Sequence, residues 1–357
     1  MAKVVLAGYY GYDNTGDEAI LAVLTDYLKR DGRIEQITVF SHHPQATARD
    51  YEVQAVFRYN PVAILRALRE GDGLVLAGGL MQDVTSTRSL WYYLTLTRLA
   101  LRLGKKVYWH AMGIGPILRP KNRTSLLRVA AQLRGLSVRD EVSASFFEEA
   151  RLVPDPALLL EPAPQGRVQR IFKMLGEPYS GSTIVGLALR PWEEFPAGIE
   201  YLAELADELV RRYDCRALFL PLYPNQDLPV IYAVMKSMKE EALCLELPIP
   251  PGDMAGMISR CDVLVSMRLH GLILAAVGGT GAVGLQTDPK VGAFGVQLDE
   301  PVFPCVQGAV PVEEVLQAVG AKLRHVGSYD RTKRSRVLQL QEQARAGLKE
   351  LVDDLCS

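Results

Sequence analysis

Short apolar, β-rich runs alternate with amphipathic stretches along almost the whole chain: KVVLAG, residues 17–30, QITVFS, residues 61–70, GLVLAGG, residues 89–103, KKVYWHAMG, residues 121–134 and LSVRD. Strands joined through helices run parallel, and parallel strands are covered on both faces, so this rhythm commits the chain to parallel sheets between helical layers. Between residues 154 and 182 the rhythm fails and Pro and Gly accumulate, as expected of a link between domains. It restarts with TIVGLALRP, residues 199–212, CRALFLPLY, residues 226–239, DVLVSM, a helix from 269 and GAVGLQT. At 357 residues the chain also exceeds what one hydrophobic core serves. We therefore expect an α/β protein of two Rossmann-like domains facing a cleft, residues 1–175 and 176–357. A C-terminal helix with apolar residues at Val337, Leu338, Leu340, Ala344, Leu348 and Leu351 is expected to pack on the protein.

Forty basic and 41 acidic side chains leave a net charge of -1, which argues against a nucleic-acid binder that neutralises many phosphates. The local cluster RTKRSR, residues 331–336, reads first as a solvated helix face and second as a patch for an anionic surface. The five cysteines form no C-x-x-C pair and have no His at metal-ligand spacing, so no metal site is expected. Reduced thiols of this kind fit a cytoplasmic protein. The N-terminal apolar run is too short for a signal peptide, and no stretch approaches the roughly eighteen unbroken apolar residues of a membrane span. Any membrane contact is then peripheral, at the inner face.

Open α/β sheets bind ligands beyond the carboxyl ends of their strands, so the turns there are where chemistry is sought. The first, GYYGYDNTGDEAIL (8–21), places Gly8, Gly11 and Gly16 around a turn with Asn14, Asp17 and Glu18. It is neither G-x-G-x-x-G nor a P-loop, because two carboxylates stand where a phosphate would sit. The acids either cap the helix or grip a hydroxyl-rich ligand, and sugar hydroxyls are the natural match. LAGGLMQD adds Gln82 and Asp83 behind Gly78 and Gly79, either a polar β-turn or a second part of the same site. Trp91, Tyr92 and Tyr93 suit a core or a sugar platform equally, and His110 reads as a hydrogen-bonded core group.

Cations close other strands. Arg139, in LSVRD, suits a carboxylate or phosphate, or else pairs with Asp140. SMRLHGLIL supplies Arg268 and His270, and LQTDPKV supplies Lys290. An Arg ion pair and a satisfied His are the plain alternatives; we weigh them below an anion pocket, because three such groups at adjacent strand ends exceed what capping needs. Arg190 and Asp227 mark two further strand ends, neither decisive by itself.

In this order, GYYGYDNTGDEAIL, GGLMQD, GIGP, SVRD, and SMRLHGL followed by DPKV resemble the polysaccharide pyruvyl transferase family over residues 3–300, most closely its CsaB-type branch. The resemblance implies a GT-B-like architecture, with the acceptor on the N-terminal domain and phosphoenolpyruvate on the C-terminal one. It implies transfer of a pyruvyl group from phosphoenolpyruvate, the co-substrate, to two sugar hydroxyls, giving a cyclic ketal and phosphate, without a metal or nucleotide cofactor. For the CsaB-type branch the acceptor implied is a β-N-acetylmannosamine (ManNAc) residue of a lipid-linked or polymer-bound cell-wall precursor, ketalised at its 4- and 6-hydroxyls. The product would be a secondary cell-wall polymer that anchors S-layer proteins through their SLH domains. The family's phosphoenolpyruvate-binding positions match Arg139, Arg268, His270 and Lys290. Met81 departs from the commoner Leu, and Asp13 and Thr15 fall in a variable turn.

The residue chemistry agrees, since phosphoenolpyruvate carries a carboxylate and a phosphate that demand several fixed cations. Ketal formation needs an acid and a base. His270 is the first candidate for the acid or for a phosphate ligand. Asp17 is the candidate base, and Asn14, Asp17, Glu18, Gln82 and Asp83 form the acceptor set. Two other functions stay open: a GT-B glycosyltransferase holding a nucleotide-sugar diphosphate on the same cations, and a glycan-binding protein without turnover.

Overall fold

The computed structural model describes residues 1–84, 86–176, 181–192, 198–305, 311–326 and 331–357. Seven parallel strands form one sheet: β1 (Ala2–Ala7), β2 (Ile34–Ser41), β3 (Gln54–Phe57), β4 (Gly73–Ala77), β5 (Lys106–Met112), β6 (Gly135–Val138) and β7 (Arg151–Leu152), in the order β3-β2-β1-β4-β5-β6-β7. Six more form a second parallel sheet: β8 (Thr183–Ala188), β9 (Cys215–Phe219), β10 (Ala242–Cys244), β11 (Val263–Ser266), β12 (Gly281–Gln286) and β13 (Val302–Pro304), in the order β10-β9-β8-β11-β12-β13.

Both sheets are wound in two directions from their first strand. After β3 the chain crosses back to set β4 on the other side of β1, and after β10 it does the same with β11 beside β8. The helices that follow the two neighbouring strands then lie on opposite faces, which opens a crevice at their carboxyl ends. The inner strands are continuous apolar runs because both their faces are covered: GLVLA of β4 is buried throughout.

Caps explain several helix boundaries. Helix Thr15–Arg30 starts where Asn14 Oδ1 accepts from the Gly16 amide at 3.3 Å, with Asp17 and Glu18 in its first turn and Lys29 and Arg30 in its last. That distribution complements the helix dipole. Helix Pro61–Glu70 starts where Asn60 Oδ1 accepts from Val62 and Ala63, both at 3.1 Å, with proline in the first helical position.

The chain divides into two compact units, residues 1–159 with 340–357, and residues 160–339. This differs from the expected boundary near residue 175, and from a C-terminal helix wholly in the second domain. The Pro-rich stretch is folded: Pro156–Leu159 is a 3-10 turn, and Gln165–Met174 is a helix that buries Val168, Ile171 and Phe172. Its ridge meets helix Pro251–Arg260 at Gly256, where a β-carbon would come within 2.6 Å of Val168, and the Ala163 amide donates to Gly252 at 2.8 Å. One short helix that starts after Pro162 and Pro164 therefore attaches this segment to the second unit. From Leu340 on, the final helix Arg331–Leu355 buries Leu340, Ala344, Leu348 and Leu351 in the first unit. Its Asp354 accepts from Tyr108 at 2.8 Å and from both guanidinium edges of Arg134. Leu338, assigned to the same stripe, is instead 52% exposed. Tyr93 belongs to the core, Tyr92 is half-buried and Trp91 is exposed.

Candidate active site

In the first unit the β1/β4 crevice is lined by the loop that follows Ala7. Gly8 is required there because a β-carbon would meet the ring of Tyr10 at 2.2 Å. Tyr10 is fully buried, and its hydroxyl has no hydrogen-bond partner among the described residues. Burial, with the Asp17 carboxylate beside it, pushes this phenol well above its usual range. Arg58 holds the loop from behind, donating from Nη1 to Gly8 O and from Nη2 to Tyr93 Oη, each at 3.0 Å.

Glu18 accepts from the Gly11 amide at 2.7 Å and from Tyr51 Oη at 2.8 Å. Burial outweighs these two bonds and raises its carboxyl from 4.5 to about 7. Glu18 is thus a carboxyl that exchanges its proton near neutrality. Asp17, one residue earlier, faces Gly78: its Oδ1 lies 3.1 Å from where a β-carbon would sit, and the φ of +106° at Gly78 is open to glycine.

Arg139 arrives at the same turn from β6. The pairing of Met112 with Val138 sets Gly113 beside Arg139, and the guanidinium rests on that glycine, where a β-carbon would approach Nη2 to 2.8 Å. A β-carbon on Gly79 would approach the same Nη2 to 3.2 Å. The glycines of AGGL and MGIG therefore make room for one cation. Its Nη1 donates to Asp155 at 2.5 Å, Asp140 lies 3.7 Å from Nε, and Nε has no hydrogen-bond partner among the described residues. A left-handed Ala111, φ +46°, and a register slip between Trp109 and Met112 aim this end of β5. Asp17 and Arg139 thus converge on Gly78–Gly79.

The other acceptor candidates are engaged with the chain itself. Asn14 spends its oxygen on the helix cap, and Gln82 Oε1 accepts from the Val84 amide at 2.9 Å. Asp83 accepts from Leu118 N at 2.7 Å, Arg119 N at 3.1 Å and Asn122 Nδ2 at 2.8 Å. Burial works against its charge, but these three donors prevail and hold it below the usual carboxylate range. Asp83 is the anchor of the segment that leads into helix Pro120–Ala130. His110 is buried and pushed down to about 4 by that burial, in keeping with a core group.

In the second unit Ala188 of β8 pairs with Ser266 of β11, so Arg190 and Arg268, each two residues on, leave the crossover in step. Arg268 Nε donates to both oxygens of Asp227, at 3.1 and 2.9 Å, and Nη2 also bonds Oδ1. The ion pair weighed below an anion pocket from the sequence is therefore formed. Asp227 is fully buried and also accepts from the Tyr223 amide at 2.8 Å, so burying it without Arg268 would leave an isolated charge. The pair does not exhaust the positive charge. Arg190 Nε has no hydrogen-bond partner among the described residues, and burial, then repulsion from Arg268, lowers the pKa of its guanidinium.

His270 lies half-buried in the first turn of helix Leu269–Gly278 and Lys290 in the first turn of helix Pro289–Leu298. Ser266 fixes the first helix start, donating to Arg268 O at 2.8 Å and accepting from its amide at 3.1 Å. Asp288 caps the second, accepting from Lys290 N at 3.0 Å. Two helix N-termini and four basic side chains, Arg190, Arg268, His270 and Lys290, are thus gathered at the ends of β8, β11 and β12, an arrangement that favours an anion.

Two doubly wound parallel sheets, each with polar groups at its crossover, make this an α/β protein of GT-B-like class. It is similar to UDP-GlcNAc 2-epimerase from Neisseria meningitidis bound to UDP-GlcNAc, with a TM-score of 0.63 at 12% identity over 98% of this chain and 100% of that one. The S. aureus MnaA–UDP structure gives 0.64 at 12% over 98% and 95%, and E. coli ADP-heptose LPS heptosyltransferase II gives 0.51 at 15% over 90% and 99%. No curated protein matches the chain in sequence. The family model for polysaccharide pyruvyl transferase matches residues 14–289, and the chain belongs to that family. It is a transferase. Among the described residues no helix is long and apolar enough to cross a membrane.

Asp155 was hidden in VPDPA, within the supposed linker, and Arg58 in a polar-looking strand end. Arg190 and Asp227 were visible as strand ends, but only the β8–β11 register sets Arg190 beside Arg268, and only the fold brings Asp227 of helix Pro224–Ser237 to it.

Proposed function

We propose that the protein transfers a pyruvyl group from phosphoenolpyruvate to O4 and O6 of a β-ManNAc residue on a cell-wall polymer precursor, at the cytoplasmic face of the membrane. The observation that carries this reading is the half-buried Arg190, positive beside Arg268, whose partner Asp227 is already committed. Such a pair of guanidinium groups is stabilised by a doubly anionic ligand, and phosphoenolpyruvate has a phosphate and a carboxylate to offer. Arg139, Arg190, Arg268, His270 and Lys290 are assigned to it. Asp17 and Glu18 are assigned to the acceptor, with Asn14 shaping their helix start. Gln82 and Asp83 are left out of the assignment, since their oxygens serve the chain's own turns.

In this mechanism His270 gives a proton to the enol methylene while Asp17 takes one from the first attacking hydroxyl. The second hydroxyl then displaces phosphate from C2, and its proton passes to Glu18, whose carboxyl near 7 suits that task. Net, one hydroxyl proton ends on the new methyl group and the other on phosphate. The ketal product would be the group by which the polymer anchors S-layer proteins. Release of inorganic phosphate from phosphoenolpyruvate, strictly dependent on a ManNAc-containing acceptor, tests the proposal. Turnover of a nucleotide-sugar without phosphoenolpyruvate would contradict it.

A further inference from the structure

The amino-terminal end of the second sheet, away from the strand ends just described, carries a basic surface that the proposed reaction does not use. A cavity of about 970 Å³ opens there, lined by Arg260 and Asp262 before β11, Glu300 before β13, and Lys322 and Lys333. The acids are already matched. Glu300 is buried and accepts from Lys322 and from Lys333, the latter at 2.9 Å. Asp262 accepts from the Ile184 amide at 2.7 Å, with Arg260 3.9 Å away.

The remaining cations point outward. Arg331, Arg334 and Arg336 are exposed on the first turns of the final helix, and Arg324 is exposed at the end of helix Val312–Leu323. The exposed Asp299 lies near Lys333 and offsets only one charge. Cationic side chains crowd the end of the helix where the dipole is positive, a local conflict that an external anion relieves. Leu338 follows Arg334 by one turn and Arg331 by two, so it shares their stripe, and it is 52% exposed. Val326, 51% exposed, lies in the turn that follows the preceding helix.

Exposed arginines flanked by exposed aliphatic side chains fit an interface where anionic headgroups meet hydrocarbon. We infer that this surface docks on an anionic lipid bilayer, with Arg331 and Arg334 on lipid phosphates and Leu338 at the acyl boundary. The inference does not depend on the reaction proposed above.

Flotation of the full chain with vesicles tests it, using phosphatidylcholine alone and phosphatidylcholine mixed with phosphatidylglycerol. Binding is expected to the mixed vesicles only and to be released by high salt. Combining Arg331→Gln and Arg334→Gln should lower partitioning on the order of thirtyfold, at about 1 kcal/mol for each charge near the surface. Leu338→Ser, a change at one exposed residue, should weaken binding severalfold and keeps the test open if the double variant misfolds. Absence of binding to the mixed vesicles, equal binding to neutral ones, or unchanged binding by folded variants overturns the inference. So does tighter binding to short RNA than to anionic vesicles.

Discussion

Arg139 rests its guanidinium directly on Gly113, where an added β-carbon would come within 2.8 Å of Nη2. The planar group is also held by Asp155 at 2.5 Å, so it has little room to retreat. Gly113→Ala should therefore swing the cation out of position and raise KM for phosphoenolpyruvate at least about tenfold, since small misplacements of a positioning group are costly. Steady-state kinetics decides, and an unchanged KM would remove Arg139 from the donor site.

Asp227 neutralises Arg268 in a fully buried position and lies close to Arg190. Asp227→Ala leaves two half-buried guanidinium groups close together, and breaking a pair whose carboxylate is fully buried costs about 3–5 kcal/mol. Urea unfolding should show that loss. Adding phosphoenolpyruvate should raise Tm more in the variant than in the parent, because the ligand supplies the missing negative charge.

Two groups, the half-buried Glu18 and the buried His110, give opposite pH dependences. Glu18 is raised from 4.5 to about 7, so folding favours its protonated form. Its contribution is full below 4.5 and is lost as pH rises through about 7, an effect of about 3 kcal/mol. His110 is lowered from 6.5 to about 4, so its contribution is present above 6.5 and is lost as pH falls through about 4. The two slopes oppose each other over the shared window. Glu18→Gln should therefore unmask a stability that rises with pH from about 4 to 6.5, measured by denaturant midpoints across that range. A parallel profile for parent and variant would place the Glu18 carboxyl at its ordinary value.

His270→Ala and Lys290→Ala should each lower kcat/KM at least about tenfold, a transition-state loss of roughly 1.4 kcal/mol, while the fold is kept. Both sit in first helical turns at strand ends, so circular dichroism and the melting temperature should stay near the parent values. Near-normal turnover of either would exclude that residue from the donor site.

Strand and helix alternation was legible in the sequence because central parallel strands such as GLVLA are apolar throughout, and capped helices such as Pro61–Glu70 carry their boundaries in Asn60 and Pro61. Helix Gln165–Met174 was not legible, because Pro162 and Pro164 just before it and its short length look like a linker, and burial of Val168 against Gly256 shows only in three dimensions. At the site, glycine pairs and strand-end cations were visible as types. What Gly79 and Gly113 accommodate was not, since the partner, Arg139, lies on another strand. Asp83 shows the converse. A carboxylate in a polar turn suggests a ligand, yet three donors from a segment beginning 35 residues away claim it.

The fate of the carbon skeleton tests the central claim most directly. Incubating the protein with phosphoenolpyruvate labelled at C2 and a β-ManNAc-terminated acceptor should yield, by NMR, one labelled quaternary carbon bonded to O4 and O6 of the sugar. One phosphate should be released for each ketal. Unconsumed phosphoenolpyruvate with that acceptor, or label recovered only as free pyruvate, would contradict the account.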